Sequence, residues 1–385
     1  MPAADTVLFV STWPWLGGAQ VSLATVLAGM PAGTRCVLAA PSSGPLIDRV
    51  RALPRPPEIV DFPELGTAPT LSVRARTAWT LARWILRNRR RLRAVHVNGD
   101  SELKLLLPIL PLLPLVSRAP VAVWHHNKEI PRSLAALRSV WRLFTRRLVW
   151  IPVSYASESE LAAAGIGSPQ NTAVVPNPIE AEAVVAATRA PRDDGAFVVG
   201  YLGFENVDKG ILELPGIAAH LVGSGVRILC ITKDRDPAAL APEVNDALDR
   251  LRALPEVVAF AQRDHDVRNV YARIDALLVP SHAESFCRIA AEAMLNGLPV
   301  VGSDLPALRE LLGDDAGLCF PPRDVAAAAD ALRALAGDRD RAHEMGAAGR
   351  RRAQRFAPTA VVAQLQSVYE LRTPVDVHSL RTAQV

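Results

Sequence analysis

Two glutamates eight positions apart, Glu284 and Glu292, stand in the stretch 280–304, PSHAESFCRIAAEAMLNGLPVVGSD. Phe286, Ile289, Ala290, Ala293 and Met294 recur at helical spacing and predict a helix with one buried face. Glu292 falls inside that helix and Glu284 just ahead of it. Ser285 has the residue type of an N-cap, whose hydroxyl accepts from a free amide of the first turn. Gly297 and Pro299 stop the helix. Residues 276–279 before it and 299–301 after it read as buried strands. A strand, loop, helix, strand unit aims the helix N-terminus at the C-terminal edge of a parallel sheet, where α/β proteins bind ligands. Free amides and the positive dipole end favour an anion there. A plainer reading of the same helix takes Arg288 and Glu292 as an i, i+4 surface salt bridge.

Other residues carry chemistry at similar places. Residues 7–10 form a strand, followed by Gly17 and Gly18 and a helix over about 21–28, a turn that can cradle phosphate. Strand 197–202 runs into Gly203 and a loop ending in Lys209 and Gly210, before a helix over 211–221. A lysine there suits a diphosphate as a point charge. Strand 121–124 ends in His125, His126 and Asn127. Asp234 and Asp236 form a D-x-D, a pattern that chance also supplies.

The stretch 280–301 resembles the signature of the retaining glycosyltransferases of the GT-B fold, family 4. Their E-x7-E pair lies within P-S-x-x-E-x-F-G-x-x-x-x-E-A-M-x-x-G-x-P-V-V. The match runs over Pro280, Ser281, Glu284, Phe286, Glu292, Ala293, Met294, Gly297, Pro299, Val300 and Val301, with Cys287 at the usual glycine. Further echoes are Gly17 and Gly18 (G-G-A-E in the family, with Gln20 here for Glu), residues 174–179, Lys209 and Gly210 of G-R-x-x-x-x-K-G, and Asp266 with Tyr271. Phe204 stands where the family has the arginine of that lysine loop, a departure that Arg288 or Arg263 could offset or that could mark weakened activity.

The resemblance implies an α/β architecture of two Rossmann-like domains with parallel sheets facing an interdomain cleft. It implies an N-terminal acceptor-binding domain over 1–180, a linker near 178–195, a C-terminal nucleotide-sugar domain over 190–356, and a terminal helix at about 357–372 that packs back on the first domain. Residues 373–385 are a tail. The implied reaction moves a sugar from a nucleotide diphosphate-sugar to an acceptor with retention, without a metal or other cofactor. In this reading Glu284 holds the donor sugar, with His125, or alternatively His126, touching it from the first domain. Glu292 binds the ribose, since a carboxylate accepts from two neighbouring hydroxyls at once. Lys209 stabilises the diphosphate, and Gly17, Gly18, Gly203, Ser285, Phe286, Cys287 and Arg288 line the donor. The acceptor is a sugar, a lipid-linked molecule or a small molecule. Alternatives are a sugar-nucleotide epimerase of the same fold and a non-catalytic nucleotide-sugar-binding protein. A glycosidase pair fits less well, and no G-x-G-x-x-G supports a dinucleotide oxidoreductase.

The elements that must position these residues alternate strand and helix along the chain. Further strands are expected at 35–40, 94–97, 151–154, 226–232, 257–261 and 317–322, and helices at 71–91, 133–149, 307–312, 324–335, 340–355 and 356–371. Residues 51–67 read as a proline-rich loop. A chain of 385 residues, half of them hydrophobic, suits two cores. Cys36, Cys230 and Cys319 sit in apolar runs and read as reduced, buried thiols of a cytoplasmic protein. The N-terminus has no basic n-region of a signal peptide, and no apolar run reaches spanning length. Residues 1–185 hold 20 Lys/Arg against 12 Asp/Glu, whereas 186–385 hold 23 against 27. The basic half carries two arginine-rich helices, 71–91 and 133–149, which leaves peripheral contact with the cytoplasmic membrane face open. No nucleic-acid motif accompanies the charge.

Overall fold

The computed structural model describes residues 5–63, 70–106, 117, 119–127, 148–180, 195–203, 205–232, 240–262 and 267–371. The chain divides into two compact units, residues 1–178 with 358–385, and residues 179–357.

In the first unit the strands are β1 (Thr6–Val10), β2 (Arg35–Ala40), β3 (Glu58–Asp61), β4 (Leu92–Val97), β5 (Val121–His125) and β6 (Leu148–Pro152). They form one parallel sheet in the order β3-β2-β1-β4-β5-β6. Every residue of β1, β5 and β6 is buried, as expected where helices cover both faces of a parallel sheet. The helices are α1 (Gly18–Gly29), α2 (Pro45–Arg51), α3 (Leu71–Asn88), α4 (Asp100–Leu106) and α5 (Tyr155–Ala163).

The second unit repeats the topology. Its strands are β7 (Phe197–Tyr201), β8 (Val226–Thr232), β9 (Val258–Gln262), β10 (Ala276–Val279), β11 (Val300–Ser303) and β12 (Gly317–Phe320), ordered β12-β11-β10-β7-β8-β9 and all parallel. Its helices are α6 (Leu214–Leu221), α7 (Pro242–Arg252), α8 (Val267–Tyr271), α9 (Arg288–Leu295), α10 (Pro306–Leu312), α11 (Val325–Gly337) and α12 (Arg339–Ala353). In each sheet the connections reverse direction beside the first strand, between β1 and β4 and between β7 and β10. Doubly wound sheets bind ligands at that point, outside the C-terminal strand ends.

The last helix, α13 (Pro358–Tyr369), returns to the first unit. A Cβ on Gly29 of α1 would lie 3.0 Å from Val362 Cγ2, so glycine permits this close packing. The Tyr369 hydroxyl and His96 Nδ1 are hydrogen-bonded at 2.7 Å, inside a ring cluster with Phe9 and Trp124. Arg93 and Glu370 pair beside it.

Several elements differ from the sequence expectation. The loop expected over 51–67 contains β3, a four-residue strand at the sheet edge, where Glu58-Ile59-Val60-Asp61 alternates once past the prolines. The helix expected from 211 begins at Leu214, because Pro215 has no amide to donate and fits only the first turn. Leu148 and Val149 belong to a strand and not to the end of a helix over 133–149; residues 133–147 lie outside the described residues. Cys319 is exposed on the edge strand β12 and Cys36 only half-buried, while Cys230 and Cys287 are buried. Edge position leaves one side of β12 uncovered, which an apolar run does not reveal.

His96 carries a consequence for stability. Burial lowers its pKa from 6.5 to about 3. Between those values the unfolded chain binds a proton that the native ring refuses, so stability is full above the unfolded value and falls as pH drops below it. We expect unfolding free energy to decline by about 2 kcal/mol from near pH 7 to near pH 5 through this group alone. Chemical denaturation of His96→Gln across that window should show a correspondingly flatter profile than the parent protein.

Candidate donor and sugar site

In the second unit the loops after β7 and β10 meet at the switch point. Gly210 has φ +78°, and a Cβ there would sit 2.1 Å from the Pro280 carbonyl oxygen. Only glycine permits that approach. The His282 amide donates to the Asp208 carbonyl at 2.9 Å, and His282 Nε2 lies 2.9 Å from Glu213. The lysine loop and the glutamate loop are thus tied together by backbone before any side chain is considered.

Across this junction Lys209 Nζ donates to Glu284 Oε1 at 2.6 Å. Ser281 donates to the same oxygen at 2.8 Å. Burial works against the charge on Lys209, but the Glu284 carboxylate outweighs it, aided by smaller contributions, and holds the ammonium above the usual lysine range. Lys209 is therefore a fixed cation at neutral pH. Gly203 lies under it: a Cβ there would meet Tyr201 Oη at 2.4 Å and Lys209 Cβ at 2.8 Å.

Helix α9 starts at Arg288, two residues later than an N-cap at Ser285 would place it. Cys287 is the N-cap, with φ +69° and no side-chain cap bond. A left-handed residue turns the chain abruptly into the helix, so the first free amides follow Cys287 and not Ser285. Phe286 is buried and packs edge-on against Phe356, ring centroids 5.1 Å apart. Burial, with the Glu284 carboxylate next in weight, pushes the Cys287 thiol well above its ordinary range, so it serves as packing and not as a nucleophile.

Glu292 lies one turn along α9. Tyr271 donates to Glu292 Oε2 at 2.8 Å, and Arg288 lies 3.5 Å from Oε1 with side chains only 14% and 15% exposed. The arginine pair seen in the sequence exists, but it is largely shielded from water. Burial, then the Glu292 carboxylate, raises the Tyr271 hydroxyl well above its usual range, so it remains a donor. Arg263, Asp266, Phe204, Asp234 and Asp236 lie outside the described residues. Among the described residues no group of three or more His, Cys, Asp or Glu gathers as a metal site.

In the first unit Gly17 is the N-cap of α1, and Gly18 is its first residue rather than part of the preceding loop. His125 ends β5 fully buried, with Nδ1 2.8 Å from Asp100 Oδ2. Asn127 donates to the same carboxylate oxygen at 2.7 Å. The other ring nitrogen, Nε2, is a buried atom with no protein partner among the described residues. His126 packs its ring on Trp124 at 4.6 Å. Thr12 donates from its amide (3.2 Å) and hydroxyl (3.1 Å) to buried Glu102. Asp100, Glu102, Ser281 and the Tyr271–Glu292 bond were not anticipated from sequence. An acidic residue right after a strand's Asn-Gly turn was the available signal for Asp100.

Residues 244–352 match the family Glycosyl transferases group 1, and this span includes Glu284 and helix α9 with Glu292. Over that span the chain is similar to this family. The D-inositol 3-phosphate glycosyltransferase of Nocardia farcinica is 36% identical over 162 residues, covering 40% of this chain and 35% of that protein. The phosphatidyl-myo-inositol mannosyltransferase of Mycobacterium leprae is 29% identical over 303 residues, covering 73% and 76%. The chain spans only 25% to 35% of the first four curated relatives it matches. Among solved structures, Anabaena Alr3699/HepE in complex with UDP and glucose superposes with a TM-score of 0.74 over 94% of this chain and 98% of that one, at 20% identity. The fold is GT-B, built from two parallel six-stranded sheets.

Cys287 permits a test of the helix start. A non-glycine residue in the left-handed region costs about 1–2 kcal/mol. Glycine would relieve that cost but forfeit a buried thiol and gain unfolded-state freedom, together of similar size. Cys287→Gly should therefore change unfolding free energy by less than about 1 kcal/mol. Cys287→Val, β-branched at the same φ, should lose about 2 kcal/mol or more. Urea titration of the two variants checks the pair.

Proposed function

We propose that this protein is a retaining glycosyltransferase that moves a sugar from a nucleotide diphosphate-sugar to an acceptor. The observation that carries the reading is the fixed Lys209–Glu284 pair beside the start of α9 at a switch point. A desolvated cation and free helix amides suit a diphosphate whose negative charge grows as the sugar leaves. Glu284 is proposed to accept from sugar hydroxyls with the oxygen that Lys209 and Ser281 leave open. Glu292, oriented by Tyr271 and Arg288, is proposed to hold the ribose diol. His125, with its ring held by Asp100, is proposed to accept a sugar hydroxyl at Nε2; His126, stacked on Trp124, is the lesser candidate. Gly17 and Gly18 are proposed near the diphosphate, and the first unit is proposed to receive the acceptor, whether sugar, lipid-linked or small molecule. The Anabaena complexes with UDP and with UDP-glucose make uridine diphosphate-sugars the first donors to try.

Turnover tests this reading. The protein, incubated with a panel of nucleotide diphosphate-sugars, should release nucleoside diphosphate from one of them. Lys209→Ala should lower kcat by about 10²–10³ through loss of charge stabilisation. Glu292→Ala should act mainly on KM, by about tenfold or more, because the ribose is bound alike in ground and transition states. Equal turnover by the parent and Lys209→Ala proteins would remove the lysine from the chemistry.

A further inference from the structure

Two tryptophans stand in water on the loop that follows β1. Trp13 is 44% exposed and Trp15 56%, with Leu16 beside them at 44%. The backbone that carries them is fixed. Thr12 is tied to buried Glu102 by its amide and its hydroxyl. The Leu46 amide donates to the Pro14 carbonyl at 2.9 Å. A Cβ on Gly44 would lie 2.8 Å from Pro14 Cβ, so the loop after β2 presses directly on the residue between the two tryptophans. Gly17 then caps α1. Large apolar rings kept exposed by a fixed loop mark a binding surface, and rigid aromatic side chains lose little conformational freedom on contact.

The surroundings select the occupant. Residues 6–47 contain one charged side chain, Arg35, which starts β2 at the opposite end of that strand and pairs with Glu58. The loop after β2 adds Ser42 and Ser43, both exposed. These two loops therefore offer flat aromatic faces beside hydroxyls, without charge. An anionic partner would find no cationic side chain in them, and a lipid surface would find no basic rim for its headgroups. A neutral saccharide matches both features. A pyranose has a face of C–H groups that lies flat on an aromatic ring, and a rim of hydroxyls that donate and accept. We propose that Trp13 and Trp15 form the stacking platform for a neutral, sugar-terminated acceptor, with Ser42 and Ser43 bonding its hydroxyls. The platform sits on the loop leaving β1, at the switch point of the first sheet. The inference rests on the glycosyl-transfer reading and narrows its acceptor to uncharged carbohydrate.

Calorimetric titration of the full chain tests it, with maltotriose, cellotriose and mannotriose as neutral probes and trigalacturonic acid as the anionic one. The parent protein should bind at least one neutral probe saturably and leave the anionic one unbound. Trp13→Phe with Trp15→Phe keeps two aromatic faces and should bind within about threefold of the parent. Trp13→Leu with Trp15→Leu keeps apolar bulk without a flat ring and should bind at least about tenfold more weakly. Ser42→Ala with Ser43→Ala should weaken binding about fivefold. All four positions are exposed or carry small side chains, so circular dichroism and thermal unfolding should match the parent. Titration with nucleoside diphosphates separates this inference from the reading beneath it. Diphosphate binding without saccharide binding overturns the platform alone, whereas saccharide binding without diphosphate binding overturns the donor site and leaves the platform standing. Equal binding by the leucine and phenylalanine pairs overturns the stacking. Capture by phosphatidylcholine vesicles, or self-association, that Trp13→Ser with Trp15→Ser abolishes would give the patch to a membrane or a second copy and overturn the proposal.

Discussion

The ion pair between Lys209 and Glu284 is the contact on which the rest of the second unit's site depends. Its partners are 75 positions apart, on loops following different strands. Two charges taken this far out of water are costly unless the geometry is good and the remaining valences are filled. Here the backbone supplies the geometry. Gly210 presses against Pro280, the His282 amide holds Asp208, and Ser281 fills a further site on the carboxylate. The consequence is a cation fixed beside a helix N-terminus by contacts within the protein itself.

The sheets explain why the candidate residues sit where they do. Both have the same strand order, and both place loops with glycine at the reversal of connection. In the second unit those loops carry Lys209 and Glu284. In the first they carry Gly17 and Asp100, and His125 ends the neighbouring strand β5. The first unit's pair follows the same logic in milder form: a buried carboxylate holds a buried imidazole by one ring nitrogen, and the other has no protein partner among the described residues. Side-chain donors Tyr271 and Asn127 perform the corresponding orienting task for Glu292 and Asp100.

What was legible in the sequence follows from how local each feature is. Alternating strands and helices, and the glutamates of 280–304, are carried by spacing within one segment, and they were readable. Lys209 was readable because it and Gly210 match the lysine loop of the family pattern after a strand. The partners of these residues were not, since Tyr271 reaches Glu292 across 21 positions and His125 reaches Asp100 across 25. The start of α9 was misplaced because serine is a good N-cap in general. Cys287 adopts a left-handed conformation that its residue type disfavours, and only the tertiary junction enforces it. Cys319 was misjudged because an apolar run does not say whether its strand lies inside the sheet or at the edge.

The central claim is that Lys209 and the start of α9 form a nucleoside diphosphate site, and calorimetric titration tests it most directly. The full chain would be titrated with UDP, GDP, ADP and TDP, and the Lys209→Ala and Glu292→Ala proteins with whichever one binds. The account predicts saturable binding of one diphosphate, weakened at least about tenfold in each variant. Absence of binding by all four, or an affinity unchanged in both variants, would contradict it.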